Sequence, residues 1–287
     1  MNPRSLPAAC TQVRPARLAP TRPPCTGGGV ISAPAREVPM VSDGAFGPAD
    51  RLTLTREVAA CLRARPGRGA VAIHDRLTGA RFAMEPDPGP FPLASVAKVA
   101  ILLGTLLNAQ AQGRALTGAE RVRAEAMIRR SDNAAAQALA VELGGKEGMT
   151  RRLRDLGVDQ TWPQTAWGTT LSHPADQLKL LDLLTSPDGP LAVENRLYAR
   201  ALMTSVEPSQ AWGVSAAALP GEQVAIKNGW MPVRAHGGRW VVNSVGHLSS
   251  DSSDLLIAIL TERSPDTETG IRTVQEVAEL VISAMRP

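Results

Sequence analysis

Aromatic side chains are scarce in this sequence: three Phe, five Trp and one Tyr in 287 residues. Nine rings offer no stacking platform for nucleic acid bases. The positive charge does not form a basic face either. Arg4, Arg14, Arg17, Arg22 and Arg36 all fall within the first 36 residues, which hold no acid, and without those five the net charge of +4 drops to about −1. Nucleic acid is therefore not an expected partner. Cysteine is limited to Cys10, Cys25 and Cys61, with no metal spacing, and His74, His173, His236 and His247 form no i, i+4 pair. Neither a disulfide framework nor a metal site is expected, and no cofactor is implied. Internal repeats are also absent.

What is present divides unevenly along the chain. Residues 1–36 contain seven prolines and the run Gly27-Gly28-Gly29, too little apolar surface to offset the entropy of ordering. A disordered leader is expected over residues 1–48. It lacks the continuous apolar segment of a secretory signal, so export has no support in the text, Met40 is an alternative start, and the compartment is left open. From Leu52 the pattern becomes regular. Leu54, Val58, Cys61 and Leu62 recur at helical spacing up to Pro66-Gly67. Ala70 to His74 and Ala80 to Met84 read as two strands joined by a turn, residues 95–206 are mostly helical in composition, and Val224–Lys227, Trp240–Asn243 and Leu255–Leu260 read as three further strands. A closing helix carries Val274, Val277, Ala278, Val281 and Met285 on one face. The order predicts an α+β domain over 49–287, with a five-stranded antiparallel sheet, flanking terminal helices and an all-helical lobe at about 95–206.

Lysine is the rarer cation, four residues (Lys98, Lys146, Lys179, Lys227) against 27 arginines. One of the four sits in the most apolar stretch of the chain. Phe91 to Leu107 (FPLASVAKVAILLGTLL) holds a single charge, Lys98, three residues after Ser95. On a helix the two share a face. Seventeen residues with an ammonium in the middle suit a buried helix better than a membrane span. Burial disfavours the charged amine, so Lys98 could accept the Ser95 proton near neutral pH, and Ser95 in the first turn after Pro92 would have amide hydrogens at hand for developing negative charge. Ser and Lys at this spacing also arise by chance, and biased codon usage could explain the Arg excess. Ser131-Asp132-Asn133 is a second candidate, although Ser, Asp and Asn are preferred helix caps and the triplet could do no more than start a helix. Lys227-Asn228-Gly229-Trp230 closes an apolar strand and by itself is a strand end with a turn.

In this order the three pieces resemble the serine penicillin-recognising superfamily, especially class A β-lactamases and related D-Ala-D-Ala peptidases, with their S-x-x-K, S-D-N and K-T-G elements. The resemblance runs from about Leu52 to Arg286. It implies the β-lactamase/transpeptidase-like fold and an acyl-enzyme on Ser95, with Lys98 as base. Ser131 would relay a proton to the leaving nitrogen with Lys227 close by, and Asn133 would hold the acylamino group of the substrate. Asp132 would be structural. Lys227 and Asn228 would face a substrate carboxylate, Gly229 belongs to the same strand motif, and the backbone N–H groups of Ser95 and Trp230 would form the oxyanion hole. The implied partner is a small-molecule or peptide substrate, and a monomer is expected.

The sequence departs from that pattern where the acyl-enzyme would be cleared. Class A β-lactamases place a Glu on the loop after the helical block, but no Glu occurs between Glu147 and Glu194, and Gly157 to Thr169 offers only Asp159. Asn228 stands where Thr is usual, followed by bulky Trp230, and the segment from Ser95 to Ser131 is short. The expectation is a β-lactamase-like serine hydrolase with poor deacylation. A D-Ala-D-Ala type peptidase, a penicillin-binding sensor that acylates once and a purely structural protein stand as alternatives.

Overall fold

Five strands pair into one antiparallel sheet in the order β2-β1-β8-β7-β6. The computed structural model describes residues 46–286, so the leader expected over 1–48 lies outside the described residues up to residue 45. The strands are β1 (Arg68–Asp75), β2 (Arg81–Met84), β6 (Gln223–Pro232), β7 (Trp240–Ser250) and β8 (Ser253–Ser264). Alternation along β8 explains its place at the sheet's centre: Ile257 and Ile259 pack into one core, whereas Leu256, Ala258 and Leu260 pack into another on the opposite face. With both faces covered, the strand reads as an unbroken apolar run.

The first face is covered by the two terminal helices, α1 (Pro48–Arg63) and α8 (Thr267–Met285). Leu54 and Val58 of α1 meet Val274, Val277 and Val281 of α8 above Val71 and Ile73 of β1. The fold class expected from the sequence, an α+β arrangement with a five-stranded antiparallel sheet and flanking terminal helices, is the observed one.

Between β2 and β6 the chain forms α2 (Lys98–Ala111), α3 (Gly118–Arg129), α4 (Asn133–Glu142), α5 (Gly145–Asp155), α6 (Pro174–Thr185) and α7 (Val193–Thr204). Helix α2 is their hub, with ten of its fourteen residues buried. The stretch Ala94–Ala111 is long and apolar enough to cross a membrane, yet 72% of it is buried inside this fold. Its Leu and Ile side chains face neighbouring helices on every side, the expected behaviour of a helix apolar all round.

Several details differ from the sequence reading. The helical block is interrupted by a small three-stranded sheet, β3 (Phe91–Pro92), β5 (Leu171–Ser172) and β4 (Thr161–Trp162) in that order. Two-residue strands have no period to detect. The expected strand ends at Lys227 and Asn243 fall short, because β6 and β7 continue through polar residues that are themselves buried: Asn228, Asn243, Ser244 and His247 are each at most 3% exposed. Ser95 lies in a 3-10 turn, Ala94–Ala97, that leads into α2.

Candidate active site

Where α2 begins, its first residue is a lysine with no exposed surface. Lys98 Nζ lies 2.8 Å from Ser95 Oγ, 3.0 Å from Ser131 Oγ, 2.6 Å from the Ser131 carbonyl and 2.9 Å from Asn133 Oδ1. Four acceptors surround an amine that carries three hydrogens as an ammonium and two when neutral, so the site tolerates either state. None of the four is a carboxylate. Burial pushes the Lys98 amine down to about 8, opposed by the negative charge of Asp132.

Ser131 links this amine to a second one. Lys227 Nζ, from β6, is 3.0 Å from Ser131 Oγ and 2.8 Å from the Asn228 carbonyl, and its side chain is buried. Desolvation, then the like charge of Lys98, hold Lys227 well below an ordinary lysine. Ser95, Lys98, Ser131 and Lys227 thus form one chain of polar atoms at hydrogen-bond spacing, drawn from three separate segments.

Local structure explains how those segments converge. Asp132 caps α4, its carboxylate accepting the Ala135 N–H at 2.7 Å, which makes the capping reading of the triplet right for that residue. The cap holds Ser131 at φ +58° just outside the helix. On the other side, Ala94 has φ +49° immediately before Ser95. Neither residue is glycine, and left-handed backbone of this kind is strained by roughly 1–3 kcal/mol unless the surroundings enforce it. Asn243 supplies part of that enforcement. Its amide donates to the Pro92 and Leu93 carbonyls at 2.8 and 3.1 Å while its Oδ1 accepts from Thr261 N–H at 2.8 Å. The sequence reading passed over Asn243; a buried amide within the apolar run WVVNSVGHL was the available signal.

Gly229 shows why β6 can approach so closely. A Cβ there would come within 2.7 Å of Leu93 O, Ser95 N and Val96 N, all backbone atoms. A side chain at this position would force the edge strand away from the turn that bears Ser95. Trp230, next along β6, stacks edge-to-face on Trp212 at 5.6 Å.

Asn228 departs from expectation. Its amide donates to the backbone carbonyls of Gln210 and Trp212 at 2.8 and 2.9 Å, and its buried Oδ1 has no hydrogen-bond partner among the described residues. Both donors are therefore engaged in tying β6 to the 208–217 segment rather than turned to a ligand carboxylate. Asp159 is also removed from the cluster, since it pairs with Arg154 and its side chain is 67% exposed. The other acid near that loop, Asp176, is buried and bound to Gln160 N–H and Thr161 Oγ1. What the loop does bring to the site is Trp167, unremarked in the sequence, whose ring centroid lies 4.9 Å from Lys98 Nζ. Among the described residues no three His, Cys, Asp or Glu side chains gather as a metal site requires.

Comparisons with known proteins agree with this fold. The solved class A β-lactamase of a reconstructed last common ancestor of Gram-negative bacteria superposes with a TM-score of 0.69 at 24% identity, covering 82% of this chain and 100% of that one. The TLA-1 extended-spectrum β-lactamase superposes with a TM-score of 0.75 at 15% identity, covering 83% and 100%. At such identities the likeness is one of fold. Curated relatives from Mycobacterium bovis and Mycobacterium tuberculosis, each named "Putative lipoprotein LppW", are 27% identical over 197 residues, 66% of this chain and 61% of theirs. The chain thus spans about three fifths of the length of the curated relatives it matches. Residues 121–285 match the family described as "Beta-lactamase enzyme family". The chain belongs to the β-lactamase enzyme family and has the class A β-lactamase-like fold.

Proposed function

We propose that the protein is a serine hydrolase that forms an acyl-enzyme on Ser95 with a β-lactam or a related amide or ester, and releases the acyl group slowly. The observation that carries this reading is Lys98 Nζ at 2.8 Å from Ser95 Oγ and 3.0 Å from Ser131 Oγ. In the neutral state Lys98 has a lone pair for the Ser95 proton. As the proton moves to Nζ, Oγ bonds to the carbonyl carbon and the carbonyl π electrons move onto oxygen. The N–H groups of Ser95 and Trp230 receive that oxyanion. When the tetrahedral centre collapses, the carbon–nitrogen bond breaks and the nitrogen takes a proton from Ser131 Oγ, which is resupplied by Lys98. Lys227, on the other side of Ser131 Oγ, stabilises the negative charge that builds there and any carboxylate on the substrate. Asn133 hydrogen-bonds the acylamino group.

The second reading is a protein that acylates without turnover, as a penicillin-binding sensor or a D-Ala-D-Ala type peptidase would with a β-lactam. It is favoured by the engagement of Asp159 with Arg154 and of Asp176 with Gln160 and Thr161, which leaves no free carboxylate on this loop to activate water. Incubation with a labelled penicillin and intact-mass analysis separates the readings. Slow turnover with a transient mass increase on Ser95 supports the hydrolase, and a lasting increase supports the non-turnover protein. An equal increase in Ser95→Ala rejects both, and no increase rejects a β-lactam substrate and leaves the related amide or ester.

A further inference from the structure

Lys98 is a buried cation without an ion pair among the described residues. All four of its hydrogen-bond partners are neutral oxygens, and no carboxylate oxygen lies within 4.0 Å of its amine among the described residues. Buried ammonium groups ordinarily require such a partner or give up the proton. The charged groups that face it are few. Asp132, on the turn before α4, acts from a distance while its carboxylate binds Ala135 N–H. Lys227, on β6, carries the same sign and opposes it. The 3-10 turn Ala94–Ala97, the rest of α2 and the Trp167–Thr169 turn contribute no charge. What remains is the indole of Trp167, whose centroid is 4.9 Å from Nζ, inside the roughly 6 Å range over which a ring's negative face attracts a cation.

We propose that Trp167 serves Lys98 in place of a carboxylate counter-ion, and is the positioning residue that sets the pH at which this amine becomes the base for Ser95. The loop that carries the ring is anchored beside the turn that bears Ser95. Thr170 N–H donates to the Trp167 carbonyl at 3.1 Å and Leu93 N–H to the Thr170 carbonyl at 2.9 Å, which ties the loop to the strand before Ser95. Trp167 also lines an apolar pocket with Ala97, Ile101, Ala140, Met149 and Leu153. A carboxylate in the same place would hold the proton on Lys98 far more tightly; an aliphatic side chain would hold it less. An aromatic face leaves the amine charged at rest and able to lose its proton close to neutrality.

The proposal rests on the reading of Lys98 as the base, and its test does not require turnover. The full chain has four lysines, so 13C labelling at lysine Cε gives four NMR titrations, with Lys146→Arg and Lys179→Arg assigning the two outside the site. Trp167→Leu keeps bulk over Lys98 but removes the negative face, and is expected to lower the Lys98 midpoint by roughly half a unit to one unit, with Trp167→Phe close to wild type. A midpoint that stays put or rises in Trp167→Leu overturns the proposal and leaves the ring as a lid only. Uniform replacement of tryptophan by mono- and trifluorinated analogues keeps the shape at residue 167 and guards against a leucine variant that fails to fold. A midpoint that falls stepwise with fluorine supports the proposal, and no trend overturns it. If Ser95 is labelled neither by penicillin nor by an activated ester, the reading of the reaction fails, while the Lys98 titration still decides the role of the ring.

Discussion

Lys98 occupies the most apolar stretch of the chain and meets four oxygens there, without a counter-charge in contact among the described residues. A group in that position is retained against stability. Its amine holds a proton less tightly folded, at about 8, than unfolded. The unfolded chain therefore binds more protons between about pH 8 and the ordinary lysine value, and stability rises with pH across that window. Below it both states are protonated and the full penalty applies. Lys98→Met is expected to stabilise the protein at pH 7 by about 1–2 kcal/mol in urea unfolding, with the gain shrinking as pH rises above 8, while abolishing acylation. A variant less stable than wild type at pH 7 would show that the hydrogen bonds of Lys98 outweigh its desolvation.

At the scale of elements, three segments meet because each ends in a defined way: α4 with an Asp132 cap, α2 with a 3-10 entry turn, and β6 as an edge strand thinned by Gly229. Asp132→Ala removes the acceptor for Ala135 N–H and is expected to cost about 1 kcal/mol of stability by chemical denaturation. It also removes a negative charge near Lys98, so the pH midpoint of acylation should move down. The elements that carry chemistry were legible because their patterns are long or unusual. Val274 to Met285 repeats at helical spacing, and a lone lysine in seventeen mostly apolar residues announces α2. The small β3-β5-β4 sheet was not legible, since two residues cannot show alternation. Asn228 misled for a different reason: its sequence position matches a substrate-facing motif, but Gln210 and Trp212, 18 and 16 residues earlier, accept both of its amide donations. Trp167 was silent in the sequence because a ring in a loop becomes informative only when the fold brings Lys98 to its face.

At the scale of the whole molecule, a polar knot away from Ser95 helps to join the sheet to the helical layer. Arg76, in the turn after β1, reaches Asp254 at 2.9 Å, Asp182 and Thr185 at 3.1 Å and His247 at 3.2 Å, which ties β8 and β7 to the end of α6. Its side chain is 14% exposed. Arg76→Met leaves Asp254 with His247, at 2.8 Å, as its remaining partner and removes the donor to Asp182 and Thr185, and is expected to destabilise the fold by about 1–3 kcal/mol. The loss should appear as a lower thermal midpoint while the pH profile of Ser95 acylation stays where it was. A shifted profile would mean that the two regions are coupled.

The account turns on Lys98 taking the Ser95 proton, and the rate of Ser95 acylation by a labelled penicillin as a function of pH tests it most directly. The rate is predicted to rise through a midpoint near pH 8, with the label recovered on the peptide that contains Ser95 and absent in Ser95→Ala. A rate that is flat from pH 6 to 9, or label attached elsewhere, would contradict it.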